Sequence, residues 1–328
     1  MKDFPIGLFW PPPPYETTAE RYQEIADAGI NLVITGNYLG DRPILTRALE
    51  CADAAGLDVI VAGEPRIDVL MRELAIGSVI SAEDARALVR RVIDDYRGHP
   101  SFAGISLMDE PYEDRYANLA VGVEAVREAG CLPYVNLFPS HATGDYSAYV
   151  GGFVERVRPA LLSFDRYPFL LDGEDDGYLD DLATIRRHAQ AAGVPAWMYV
   201  QTCAYEGHRT PTAAEILWQV NSALAFGYTG VQYFTYWTPD PARGESFQPA
   251  LITADGRRTE RYDVVRRINT EWLGPVGAEL ARLTWVSAEV TDTAITGLFH
   301  DDAGAEYHFV CNALSLARGA GEGRLVRL

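Results

Sequence analysis

The chain has 328 residues, 48% of them hydrophobic and 23% charged, which is an ordinary composition for one large globular domain with room for a small appendage. Its formal net charge of −18 sets the surface against phosphate backbones and anionic lipid, so neither nucleic acid nor a membrane surface is an expected partner. The only lysine is Lys2, which removes Schiff-base chemistry and lysine-dependent proton abstraction from any strand of the fold.

The amino-terminal stretch from Met1 to Trp10 lacks an apolar run of signal-peptide length, and a proline run, Pro11–Pro14, follows at once. No window approaches the 18 or so consecutive apolar residues that a membrane-spanning helix needs. Cys51, Cys131, Cys203 and Cys311 are scattered without ligand-like spacing, as in a reducing compartment. A cytoplasmic location is the expectation.

Short apolar runs then alternate with amphipathic stretches. The expected strands are Pro5–Trp10, Asn31–Gly36, Asp58–Gly63, Gly104–Met108, Leu132–Phe138, Leu161–Tyr167, Ala196–Thr202 and Gly230–Tyr236. Near-continuous apolar strands such as 58–63 suit a parallel sheet covered on both faces. Thr17-x-x-Glu20, Ser81-x-x-Asp84 and Thr212-x-x-Glu215 fit helix-starting capping boxes. Ala-Gly pairs at 28–29, 55–56, 129–130 and 192–193 mark helix ends, where glycine takes the left-handed conformation. Eight strand–helix alternations predict a (β/α)8 TIM barrel over residues 1–280, closed by a helix from about Thr259 to Glu279. A doubly wound open sheet is the alternative, but it would carry a glycine-rich phosphate loop after an early strand, and none is present. Residues 281–328 read as a short β-rich appendage packed on the barrel, with strands at Trp285–Val290, Ala294–His300 and Glu306–Asn312.

In such barrels the site lies at the carboxyl ends of the strands. Those ends here carry Phe9-Trp10, Asn37-Tyr38, Glu64, Asp109-Glu110, Asn136, Asp165-Arg166-Tyr167, Gln201 with Tyr205-Glu206, and Tyr233 to Trp237. Carboxylates and amides pair with hydroxyls, and aromatic faces cover the apolar faces of a sugar ring, so the rim suits a neutral carbohydrate.

The segment Gly104-Ile-Ser-Leu-Met-Asp-Glu-Pro111 resembles the strand-four end of clan A glycoside hydrolases, where an acid/base Glu follows Asn; Asp109 stands here in place of that Asn. Tyr233-Phe-Thr-Tyr-Trp-Thr-Pro239 is similar to their strand-eight end, where a Trp floors the sugar subsite. Ser163-Phe-Asp-Arg-Tyr-Pro168 resembles the strand-six end of the bacterial β-galactosidase-like branch. The resemblance implies a glycosidase with Glu110 as acid/base and Trp237 as ring platform. It also implies a nucleophilic Glu at the end of strand seven, where this sequence has Gln201, and an amide cannot serve as that carboxylate.

Either strand seven aligns differently, or the second carboxylate comes from Asp165, Glu206 or Glu64, with Asp165 favoured because it closes a strand and alternates with Ser163 towards the interior. Hydroxyls would be held by Asp109, Asn136, Tyr167 and Gln201, with Asn37, Glu64 and Glu206 at the rim, and the ring platform would be Trp10, Tyr236 and Trp237. The six histidines form no HxH or HExxH pattern, so neither a metal nor any other cofactor is expected; His141 and His208 are read as solvent-facing loop residues. The rival readings are a non-catalytic carbohydrate-binding barrel and a sugar lyase or isomerase.

Overall fold

A computed structural model of the chain describes residues 4–75, 81–313 and 323–327; Lys2 and part of the 281–328 span lie outside the described residues. Eight parallel strands close into a barrel: β1 (Ile6–Phe9), β2 (Leu32–Ile34), β3 (Asp58–Val61), β4 (Phe102–Asp109), β5 (Leu132–Leu137), β6 (Leu162–Phe164), β7 (Ala196–Gln201) and β8 (Gly230–Phe234). Each strand pairs with its neighbours in sequence, and β8 pairs with β1, so no edge is left open. Closure excludes the doubly wound sheet.

Alternation along the strands divides the core. Val33, Val59, Val61, Ile105, Leu162, Met198, Val200 and Val231 face outward into the helical layer. Leu32, Ile34, Ile60, Tyr134, Trp197 and Tyr199 form a second cluster inside the barrel.

The outer layer holds α1 (Ala19–Asp27), α2 (Arg42–Ala55), α3 (Pro65–Ala75), α4 (Ala82–Tyr96), α5 (Tyr116–Glu128), α6 (Tyr146–Val157), α7 (Tyr178–Ala192) and α8 (Ala213–Ala225). Helices α9 (Glu260–Arg267) and α10 (Gly274–Leu280) are joined through a π-helical turn, and together they occupy the expected closing helix. Gly29, Gly56, Gly130 and Gly193 all have left-handed φ values, between +65° and +81°. Ser81 and Thr212 cap α4 and α8, the latter as a full capping box with Glu215. For α1 the cap is Thr18 rather than Thr17. The Thr17 hydroxyl turns back to the Pro13 carbonyl, 3.0 Å away, and fastens the proline run.

Four antiparallel strands follow, β9 (Thr284–Val290), β10 (Ala294–His300), β11 (Glu306–Asn312) and β12 (Gly323–Arg327), one more than the sequence predicts. The sheet packs on α8. Trp218 Nε1 donates to the Asn312 carbonyl and Trp285 Nε1 to the Ala225 carbonyl, both at 3.1 Å. A Cβ on Gly297 would collide with that same Ala225 carbonyl, so glycine is needed for this approach. Helix α8 is therefore covered on one side by the barrel and on the other by the sheet.

Candidate active site

Consecutive residues of a strand point to opposite faces, so two neighbours reach one cavity only if the backbone turns between them. It does so twice here. Trp10, with φ +57°, immediately follows β1, and Glu110, with φ +47°, immediately follows β4; both are left-handed non-glycine residues, and each precedes a proline. Such conformations cost on the order of 1–2 kcal/mol each and concentrate at functional sites. The result is that Phe9 with Trp10, and Asp109 with Glu110, line one cavity at the carboxyl end of the barrel. Gly36 makes room: any Cβ there would strike the Trp10 ring.

The cavity has a volume of about 320 Å³, and Asn136, Asp165, Tyr167, Tyr199, Tyr205, Phe234, Glu245 and Phe247 complete its lining. The floor is acidic. Burial raises the Glu110 carboxyl from 4.5 to about 7, with the charge of Asp109 adding to the effect. Asp109 is exposed, opening onto this cavity and two neighbouring hollows; the protein around it raises its carboxyl above the ordinary range, and the Asn136 amide offsets part of the rise. Asp165 is raised well above the ordinary carboxylate range, first by burial, then by Glu110 and Asp109; hydrogen bonds from Asn136 and Tyr167 oppose this. The charge of Asp109 raises Glu110, and those of Glu110 and Asp109 raise Asp165, so the three carboxyls titrate as an interacting group.

A buried polar ladder holds Asp165 in place. Gln232 accepts from the Tyr134 hydroxyl at 2.8 Å and donates through Nε2 to Ser163 Oγ at 3.0 Å. Ser163 donates to Asn136 Oδ1 at 2.9 Å, which commits the other end of that amide to donation, and Asn136 Nδ2 reaches Asp165 Oδ1 at 2.6 Å. Arg166 does not neutralise Asp165. It turns outward to Asp175 and Asp181, bracing the strand-six loop.

The walls are aromatic. Tyr167 stacks on Phe234 with centroids 4.9 Å apart, and Tyr205 on Phe247 at 5.1 Å. Trp10 meets Phe247 edge-on at 5.4 Å. His208 stacks on Tyr205 at 4.6 Å from behind. Among the described residues no group of histidine, cysteine or carboxylate side chains is arranged to hold a metal ion.

No family model and no curated protein matches the sequence. Solved structures do match. A β-galactosidase from Halorubrum lacusprofundi aligns with TM-score 0.61 and 15% identity, over 88% of this chain and 59% of that one. A β-galacturonidase from Eisenbergiella tayi aligns with TM-score 0.58 and 16% identity, over 82% and 51%. A family 39 glycoside hydrolase from Bacteroides cellulosilyticus aligns with TM-score 0.56 and 12% identity, over 95% and 71%. The fold is a (β/α)8 barrel similar to the barrels of these glycoside hydrolases. At these identities the likeness speaks for the fold alone, and the chain spans 59%, 51% and 71% of the length of these three structures.

In this barrel, six of the twelve residues expected from the sequence meet at the cavity: Glu110, Asp165, Asp109, Asn136, Tyr167 and Trp10. The other six do other work. Gln201 shares the interior-facing register of Tyr199, yet its amide is fully engaged by backbone. Nε2 donates to the carbonyls of Arg209 (2.8 Å), Phe169 (3.3 Å) and Cys203 (3.4 Å), and Oε1 accepts from Phe169 N (3.0 Å). It staples the strand-six loop to the strand-seven loop. Glu64 is buried and caps α3, accepting from the backbone N of Arg66 and Ile67 while pairing with the Arg66 guanidinium. Asn37 donates to the Pro11 carbonyl at 2.7 Å, and Glu206 is an exposed turn residue with φ +35°.

The ring platform expected at Tyr236 and Trp237 is corrected most. After Phe234 the chain continues to pair with the end of β1, Tyr236 N donating to the Phe9 carbonyl and Trp237 N to that of Trp10, both at 3.0 Å. Both side chains are thereby carried into the hydrophobic core, Trp237 beneath the Arg21 guanidinium at 5.2 Å. Phe9, Tyr199, Tyr205, Phe234, Glu245 and Phe247 take up the cavity lining instead. For Phe234 a signal existed: Gln232, polar and mid-strand, must face partners inside the barrel, and Phe234 follows two residues later. Glu245 and Phe247 arrive on a long loop after β8 that no local pattern aims at the mouth.

Proposed function

We propose that this chain is a glycoside hydrolase or transglycosylase acting on a neutral carbohydrate, with Glu110 as acid/base and Asp165 as the second carboxylate. The supporting observation is the floor itself, where Glu110 is raised to about 7 beside Asp109 and Asp165 in an aromatic-walled cavity. Glu110 would protonate the departing glycosidic oxygen, and Asp165 would act as nucleophile or as base for water. The Asn136 amide hydrogen-bonds Asp165 and favours its charged form, against the larger opposing effects of burial and of Glu110 and Asp109. The described lining holds four acids, one amide and seven aromatic rings, which favours an uncharged sugar over an anionic one. The role is metal-independent in this reading, so turnover should survive exhaustive chelation with EDTA.

A panel of aryl glycosides tests the proposal. Wild type should turn over at least one member, and Asp165→Asn should slow activated and unactivated leaving groups alike. NMR of the first-formed anomer then assigns retention, which needs carboxyls about 5–5.5 Å apart, or inversion, which needs about 6.5–9.5 Å. Binding of sugars without turnover of any panel member would overturn the proposal in favour of a non-catalytic carbohydrate-binding barrel. The engaged amide of Gln201, at the strand end where a clan A nucleophile is expected, is what favours that second reading.

A further inference from the structure

We infer that Tyr112 and Phe138 form a platform for the ring of the leaving group, so that the substrate is a disaccharide or longer glycoside rather than a sugar carrying a small aglycone. This rests on the glycosidase reading above. Tyr112 is 62% exposed just beyond the carboxyl end of β4, outside the lining of the cavity, and an aromatic ring there presents an apolar face that a sugar ring can cover. Its ring lies over Phe138 with centroids 4.8 Å apart at 45°.

Position assigns the platform to the leaving-group side. Glu110 N donates to the Asn136 carbonyl at 2.9 Å, which fixes β4 against β5 at the acid. Two residues beyond each partner come Tyr112 and Phe138. An acid that protonates the glycosidic oxygen stands on the side from which the leaving group departs, and the platform adjoins that acid.

The platform is also braced. The Tyr149 hydroxyl, on α6, donates to the Pro111 carbonyl at 2.8 Å and accepts from Phe138 N at 3.4 Å, so one buried side chain ties both loops. The Tyr116 hydroxyl in turn donates to the Tyr149 carbonyl at 3.1 Å. An exposed ring on a two-loop support offers a sugar face a surface whose ordering is already complete. Binding energy gathered there, remote from the bond broken, is available to lower the barrier.

The test compares kcat/KM for a disaccharide with that for the glycosyl fluoride of the same sugar, whose leaving group is too small to reach the platform. Tyr112→Ala should lower the disaccharide-to-fluoride ratio by about three- to tenfold, the scale of one aromatic contact. Tyr112→Phe, which keeps the ring, should hold the ratio at the wild-type value. A wild-type ratio in Tyr112→Ala, or an equal fall in Tyr112→Phe, overturns the platform. If wild type turns over neither substrate, the hydrolase reading fails separately, and the platform is judged by titrating the protein with mono- and disaccharide under intrinsic fluorescence. Tighter disaccharide binding that Tyr112→Ala abolishes supports it; equal affinities overturn it.

Discussion

Replacing Glu110 with Gln removes one charge from a cavity lined by three other carboxylates, and the change should register in turnover and in stability. A carboxyl held at about 7 instead of 4.5 disfavours the folded state once it ionises. At about 1.4 kcal/mol per pH unit the ceiling is roughly 3 kcal/mol, and the opening of the cavity to solvent reduces this to about 1–2 kcal/mol. The direction follows from which state binds more protons. Between pH 4.5 and about 7 the unfolded chain loses the Glu110 proton while the folded chain keeps it, so wild-type stability falls across that window and levels off above it. Glu110→Gln should therefore match wild type at pH 4 and exceed it at pH 8, read from urea unfolding midpoints at each pH. Turnover should move the other way: a loss of about 10²–10⁴ on poor leaving groups and far less on activated aryl glycosides. The wild-type rate should fall as pH rises through about 7, where the acid loses its proton. A stability difference that is the same at pH 4 and pH 8, or equal losses on good and poor leaving groups, would refute the assignment of Glu110 as a raised general acid.

Two substitutions probe residues that the structure moves away from the sugar. Gln201→Glu turns a donor into an acceptor facing the carbonyls of Phe169, Cys203 and Arg209, so it should lower stability by about 1–3 kcal/mol in thermal unfolding without raising kcat. A gain in kcat would instead restore a strand-seven nucleophile. Trp237→Ala empties a core position only 2% exposed and should cost about 3–5 kcal/mol in urea unfolding, with KM near wild type below the transition; a large rise in KM with stability intact would return Trp237 to the ring platform.

The barrel was legible because its signals are local. Apolar runs of strand length, glycines that must be left-handed and Thr212 three residues before Glu215 are each read within a few positions. Glu110 and Asp165 were legible for a related reason, since a residue that closes a strand in this fold faces the mouth. What escaped depends on contacts distant in sequence. Nothing near Trp237 says that its backbone will pair with Trp10 and carry the indole inward. Likewise Gln201 matches the register of a site residue, and only the return of residues 205–209 over it shows the amide consumed. Glu64 escaped for a different reason: glutamate is not among the usual capping residues, and only the fold shows its carboxylate taking the backbone N–H groups of Arg66 and Ile67.

The position of α8 has a consequence in time. Its thirteen residues include a single charge, Glu215, and ten of them are buried, so it lacks the polar face that an outer barrel helix normally turns to water. The surface that covers its far side is supplied by residues from Thr284 onward, some sixty positions later in the chain. During synthesis, a ribosome that has just released β8 has emitted every strand of the barrel while this greasy flank still has no neighbour. Productive folding is thus held open until the strands from Thr284 to Asn312 emerge, and a chain halted near residue 280 is one for chaperones and proteases to find.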